Sequence, residues 1–580
     1  MTHPHPSPAP DWLARLAWLS FLWLAFSLPF ETTAPWVQFS PLQLTNLELA
    51  LSVALGLGLL QRWRRRAGRL GVRMPPLWAA LWLIYLLAAL LSALLSPEAE
   101  LRLNALKAAG RTLTGLALAW LLPHVAVTSR QRIGLIIALV SGGLLMAAVG
   151  LLELLRGIPL IWLDTFRTMP TTVGPFLRLS SSFDHANQAA IYMEATLPLL
   201  LAWLWSNRDR RWTAAVLGLA TLFYLESSFF TYSRTAFAVL LAVSLFLGIW
   251  LWQRQMPARQ KMAAFWGGFA GIVLLATVIN TAHSPVWNLR LRSEDDKTWY
   301  QVRFDVPAAL QLAAGDAIPI PITVHNDGDL TWINAGPNPI HIGASWRRLA
   351  DGAELPDRPR WHLEKAVRPG QQISQIITLP APQTPGDYEL TWDMVQEYVT
   401  WFSDKTGYVA VTRVEVTGEL PLPTPEDPSS SAVAGEEFVP ITVTAPIPVR
   451  RVLWQIAWQQ FLQRPWLGVG LDNFRLTYGL FLDAAAWDKT IHTNNWYIET
   501  LVSLGVLGGL PFLAWLGLLV VDLLRQLRRP QATIWQIGVA AGLMAYLLHG
   551  LLDYFLMFNA TAILFWLLVG LWLAQREPTA

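Results

Sequence analysis

The chain has 580 residues, is 53% hydrophobic and 14% charged, and carries 31 Trp, no Cys and a formal net charge of +3. So apolar a chain needs lipid around several of its segments, and its basic residues lie in short loops rather than in one patch with interleaved aromatics, which excludes nucleic acid as a partner. The missing Cys exclude disulfides, thiolate metal sites and a Cys nucleophile.

The first apolar run, near 12–30, is flanked by Pro and His instead of a basic start and a small-residue cleavage site, and reads as a retained span. Twelve runs are long enough to cross a hydrocarbon core, which needs roughly 20 apolar residues as a helix. They lie near 12–30, 45–62, 77–96, 108–127, 133–155, 187–206, 212–231, 235–252, 262–282, 503–524, 533–552 and 557–575. Every second loop is basic: Arg62 to Arg73, Arg130 and Arg132, Arg208 to Arg211, Arg254 to Lys261, and Arg525 to Arg529. By the positive-inside rule these loops and both termini are cytoplasmic. The large region 283–502, the loop 156–186 and the tight turn Thr231–Arg234 then face the other side.

From about Val286 to Val416 the pattern changes to short β-type runs such as IPITVHN and YELTWDM, divided by Asn-Asp-Gly and Pro-Gly turn signals. The fold expected is an all-α polytopic membrane protein of about twelve transmembrane helices with an inserted extracytoplasmic β-sandwich. Its parts are a membrane domain over 1–282, the sandwich over 283–417, and a Pro-, Ser- and acid-rich linker over 418–449. A helical active-site region follows over 450–502, and the last spans over 503–580.

Ionisable groups within spans are costly and are usually functional or paired. Glu194, Glu226, Arg234, His549 and Asp553 are such groups, and the two Glu read as structural partners. Arg234 sits in TYSRT at the outer end of two spans, where a permanently charged planar fork suits a phosphate or diphosphate. In FLRLSSSFDHANQAA, Arg178 adds a second basic group on the same surface, and Asp184 or Asn187 reads as the cap of the next helix. His492, Asn495 and Glu499 have helical spacing and would share one face if their helix starts early enough, with Asn494 pointing elsewhere. A neutral His beside Arg residues that hold a diphosphate is a candidate general base. There is no HExxH, so no metal site is expected.

Four stretches in order, RLSSSFDHANQAA, Ser233–Arg234, the run from Arg450 or Arg451 to Gly470, and NNWYIETLVSLGVLGG, resemble the O-antigen ligase and O-antigen polymerase superfamily of bacterial envelope glycosyltransferases. With the span layout, the likeness covers most of the chain except the sandwich. The resemblance implies transfer of a glycan from an undecaprenyl-diphosphate carrier to an acceptor hydroxyl, with inversion and without a metal or other cofactor. It implies that Arg234 and Arg451 contact the diphosphate and that Arg178 and Asn187 fall on a further motif. Asn495, Gly505 and Gly508 fit the family's His-Asn and Gly-x-x-Gly spacing, whereas Asn494 occupies the family's His position and His492 lies two residues earlier.

The expected function is therefore a membrane glycosyltransferase of ligase type, acting in envelope polysaccharide or lipopolysaccharide biosynthesis. Its partners would be the lipid-linked donor, a lipid or protein acceptor and membrane lipids. The catalytic set is His492, Arg234 and Arg451; Arg178, Asn187, Asn494, Asn495 and Glu499 would bind substrate. A polymerase joining repeat units with the same donor is the nearest alternative, and a glycan-binding or transport protein is the alternative from another class.

Overall fold

The computed structural model describes residues 12–39, 42–64, 74–157, 160–168, 170–173, 176–253, 256–284, 286–287, 296–335, 339–397, 400–418, 448–482 and 487–576. The linker expected over 418–449 lies almost wholly outside them. Each predicted apolar run falls on a helix: α1 Trp12–Ser27, α2 Asn46–Arg64, α3 Pro76–Leu94, α4 Ala99–Val125, α5 Ser129–Arg156, α6 Ala186–Ser206, α7 Arg211–Phe229, α8 Arg234–Trp252 and α9 Pro257–His283. After the β-rich region come the amphipathic α10 Arg450–Gln463 and then α11 Trp496–Arg528, α12 Ile534–His549 and α13 Asn559–Gln575.

Among the described residues, six helices (α3, α5, α6, α8, α9 and α11) are long and apolar enough to cross a membrane. The helices α1, α12 and α13 are apolar but shorter. Length and composition thus support six spans where twelve were expected; α2, α4 and α7 carry too many polar residues, Arg62 and Arg64 or Arg102, Lys107 and Arg111 among them. The chain is a multi-pass membrane protein. α6 is buried on nearly every side from Ala186 to Ala202 and packs against α12, and a buried carboxylate–imidazole contact between Glu194 and His549 joins the two.

The region between α9 and α10 is β-rich. Its strands are β1 Val302–Asp305, β2 Ala309–Ala313, β3 Ala317–Asn326, β4 Ile340–Arg348, β5 Arg360–His362, β6 Gln372–Pro380, β7 Gly386–Gln396 and β8 Ala410–Thr417. One sheet has the order β6-β3-β1; the other runs β2-β8-β7-β4-β5. The period-2 burial of β6, with Ile373, Gln375, Ile377 and Leu379 inward, is that of a strand with one face covered. β8 runs parallel to β2, with Ala309 beside Arg413, so the last strand of the region pairs with its second.

One interruption sets the geometry of the last third. Gly505, inside α11, has φ +58° and ψ −157°, and the helix kinks there. The break frees backbone groups that the loop Pro465–Gly470 satisfies. The N–H groups of Val469 and Gly470 donate to the carbonyls of Val502 and Ser503 at 3.0 and 2.9 Å, and those of Val506 and Leu507 donate to Pro465 and Trp466 at 2.8 and 3.1 Å. A Cβ on Gly505 would stand 2.5 Å from the Pro465 carbonyl oxygen, and one on Gly468 would stand 2.4 Å from the Ser503 backbone. Gly505→Ala combines a left-handed backbone with that collision and is expected to cost about 2 kcal/mol or more. Thermal unfolding in nanodiscs should show the loss, while Gly517→Ala, where the new Cβ meets open space, should leave the melting temperature unchanged or raise it.

In β7, burial pushes the Asp393 carboxyl up to about 7, although the Ser403 and Met394 N–H groups donate to it. A carboxyl raised in the fold favours the folded state when neutral, so its contribution is complete below the unfolded value of about 3.9 and is lost as pH rises through about 7. Unfolding of the β-rich region followed from about pH 5 to about pH 8 should show stability falling, and Asp393→Asn should flatten the curve.

Candidate active site

α11 begins at Trp496 because Asn495 caps it: Asn495 Oδ1 accepts the Ile498 N–H at 2.9 Å, and Nδ2 donates to the Leu551 carbonyl at 2.7 Å. Asn494 precedes it at φ +51°, in the left-handed region that Asn tolerates better than other side chains. The helix thus starts too late for His492, Asn495 and Glu499 to share a face. His492 and Glu499 meet by another route. Glu499, in the first turn, reaches back so that Oε2 accepts the Thr493 N–H at 3.0 Å and Oε1 lies 3.3 Å from His492 Nδ1.

His492 is buried, with Tyr554 beside its ring at 5.1 Å between centroids. Its Nε2 makes no hydrogen bond among the described residues and lies 3.6 Å from Asp472 Oδ1. Asp472 has φ +63° and grips Arg475 through two contacts, 2.9 and 3.0 Å. Asn104 of α4 ties this turn down, donating to the Asp472 carbonyl at 2.9 Å and accepting from Arg475 at 3.0 Å. The imidazole therefore sits between two carboxylates. Both lie within ion-pair distance of its ring nitrogens.

A cavity of about 30 Å³ adjoins this cluster, lined in part by Tyr85, Arg111, Asp472, Glu499, Ser503 and Tyr554. Burial, and then the charges of Glu499 and Asp472, push the Tyr554 phenol well above its ordinary range, so it stays neutral there.

A second cluster joins the first through Tyr554 and its neighbour Asp553. The loop before α6 is pinned by buried Arg167, which pairs with Glu153 of α5 and donates to the Ser181 carbonyl at 2.9 Å. Arg178, also buried, donates to the Thr231 carbonyl at 2.8 Å and to Asn187 Oδ1 at 2.9 Å, and Asn187 Nδ2 donates to Asp553 at 3.0 Å. Asp184 does not cap α6; it accepts the Thr168 N–H at 2.8 Å, and the cap is His185, whose ring accepts the Asn187 N–H. Arg234 is the first residue of α8, half-buried, three residues beyond the carbonyl that holds Arg178.

Arg451 is exposed on α10, whereas Arg450 is half-buried. Arg450 Nε is buried without a hydrogen bond among the described residues, and its charge reaches His549. α10 is seated by the Trp454 indole N–H on the Thr493 carbonyl at 2.8 Å.

The structure thus places His492 with Glu499 and Arg178 with Asn187. It gives Asn495 the work of a helix cap and Asn494 that of a turn. Arg111, Asp472 and Tyr554 were not singled out from the sequence. Arg111 was within reach of the rule for ionisable groups in spans, since it lies inside 108–127; Asp472 follows the Gly-Val-Gly run with no spacing that pairs it with His492.

Residues 447–513 match the family model described as O-antigen ligase. That match bears out the resemblance to the O-antigen ligase and polymerase superfamily. In the O-antigen ligase-like segment lie Arg450, Arg451, Asp472, His492, Asn494, Asn495 and Glu499, together with the loop and the break at Gly505. No curated protein matches the chain. Among solved structures, Pseudomonas fluorescens alkylpurine DNA glycosylase AlkC bound to DNA containing an abasic site analog is similar at 12% identity. The similarity covers 59% of this chain and 100% of that one with a TM-score of 0.14, which carries no argument.

Arg178 reaches two acceptors at once only because its guanidinium is a planar fork. Arg178→Lys should therefore lose one contact and about 1.5–3 kcal/mol of stability, measurable as a lowered melting temperature, while Arg451→Lys should leave it unchanged.

Proposed function

We propose that the protein transfers a glycan from an undecaprenyl-diphosphate carrier to an acceptor hydroxyl at the outer face of the plasma membrane, as a ligase. An O-antigen ligase or polymerase type of function is supported by the matched segment. The observation that carries the finer reading is the buried His492 between Asp472 and Glu499, whose Nε2 makes no hydrogen bond among the described residues, inside that segment.

In the proposed step, His492 Nε2 takes the proton of the acceptor hydroxyl and the freed oxygen attacks the anomeric carbon. The bond from that carbon to the diphosphate oxygen breaks with its electron pair, leaving the diphosphate and an inverted glycosidic bond. Glu499 holds the imidazole at Nδ1, and Asp472 stabilises the charge it acquires. Arg234, with Arg450 or Arg451, neutralises the departing diphosphate, which is the position where charge develops. Arg178 and Asn187 hold the turn from which Arg234 emerges, and Asn494 and Asn495 shape the turn that carries His492. No metal takes part. The positive-inside pattern of the loops supports an active site outside the cytoplasm and both termini within it.

Glycan transfer from a lipid diphosphate donor, measured with purified protein in nanodiscs, tests the reading. His492→Ala should lower kcat by about 10²- to 10⁴-fold, Arg234→Ala should do likewise, and chelation with EDTA should leave the rate unchanged. The larger loss between Arg450→Ala and Arg451→Ala identifies the second diphosphate ligand. A wild-type rate in His492→Ala would remove it as the base. Product that grows by repeat units without an added acceptor would make the enzyme a polymerase.

A further inference from the structure

The bundle carries a second polar site at its other end. Past Gly505, α11 runs on to Arg528, a rise of about 34 Å, which is the thickness of a hydrocarbon core. There the ends of α11 and α13 and the starts of α5 and α12 enclose a cavity of about 430 Å³, large enough for a small ligand. Arg132, Arg529 and Arg576 line it. Arg132 donates to the Ala574 carbonyl and to Ser129 Oγ. Arg576 lies 3.1 Å from Asp522 and over the Trp78 ring. Asp522 also accepts the Trp572 indole N–H at 2.8 Å, so its carboxylate is shared between Arg576 and Trp572. Each guanidinium has five donors, more than these contacts use on Arg132 or Arg576.

The same cavity receives the first turns of α5 and α12, both opened by capping boxes, Thr128 with Gln131 and Thr533 with Gln536. The positive ends of these two helix dipoles are met by the negative ends of α11 and α13, so the positive charge of the cavity rests on its guanidinium groups. Trp535 and Ile133 form an apolar border to the same space. Net positive charge, forked donors and an apolar edge at the end of a span match a phosphodiester attached to acyl chains.

We propose that this cavity binds the phosphate of an anionic phospholipid headgroup, in the leaflet opposite the candidate active site. Its chemistry is independent of the glycosyl transfer, and it holds whether or not that transfer is the protein's reaction. Soluble inorganic phosphate offers the same oxygens, and the experiment separates the two sources.

Native mass spectrometry of the full-length protein in detergent, titrated with phosphatidylglycerol or phosphatidylcholine, reads the site directly. The wild type should retain phosphatidylglycerol in preference to phosphatidylcholine. Arg132→Gln combined with Arg529→Gln should weaken phosphatidylglycerol at least about tenfold, which is about 1.4 kcal/mol. Arg529→Lys, which keeps the charge and guards against a folding defect, should retain most of the binding. Arg130→Gln, at an exposed position in the first turn of α5, should bind as the wild type does. Equal binding by the double variant overturns the proposal, and so does an equal loss in Arg130→Gln, which would mean diffuse charge attraction. Displacement of the lipid by millimolar inorganic phosphate overturns the headgroup in favour of a soluble anion; persistence of the lipid supports it.

Discussion

The interruption of α11 at Gly505 is the constraint on which the rest of this structure depends. A helix broken inside a membrane protein exposes carbonyl and N–H groups that lipid cannot satisfy. Here the four bonds from Pro465–Gly470 take them up. The loop that repairs the break is thereby fixed against α11, and it carries Asp472 with it. Glycine is required at the break because of its backbone angle, and at Gly468 because another backbone passes where a side chain would be. The spacing of glycines in the matched segment therefore has a physical origin: one set forms the break and the other forms the splint.

Around that splint, charge is collected from distant parts of the chain. Buried Arg, His, Asp and Glu would each be costly alone, and each is held by another. Arg178 leans on a backbone carbonyl and on Asn187, Asn187 on Asp553, and Glu194 on His549. Asp472 and Glu499 flank one imidazole from opposite sides, and their own hydrogen bonds come from Arg475 and from the Thr493 backbone. The result is a rigid polar seam between helices, pre-arranged rather than assembled by a ligand.

The sequence made the helices legible because apolar runs of that length have few other stable forms, and it made the β-rich region legible because its alternation has period 2. Of the twelve runs expected to span, six fall on helices long and apolar enough among the described residues; a run such as 45–62 reads as apolar until its polar ends are counted in the helix they belong to. Local contacts were partly legible. His492 and Glu499 do meet, but the helical spacing that suggested it does not operate, because Asn494 turns the chain before the helix begins. The long-range partners were hidden. Nothing near Asn187 announces Asp553, and Asp472 finds His492 only through the fold of the loop between them.

The parallel pairing of β8 with β2 bears on the order in which the chain can be put together. Gln311 of β2 and Glu415 of β8 are 104 residues apart and meet side by side, and among the described residues β2 has no other neighbour in its sheet. β2 is therefore made early and waits without a partner until the last strand of the region has been synthesised, and long-range parallel pairing of this kind is slow. An unpaired strand edge is a template for pairing with another chain, so this strand is open to misassembly for as long as the rest of the region takes to emerge.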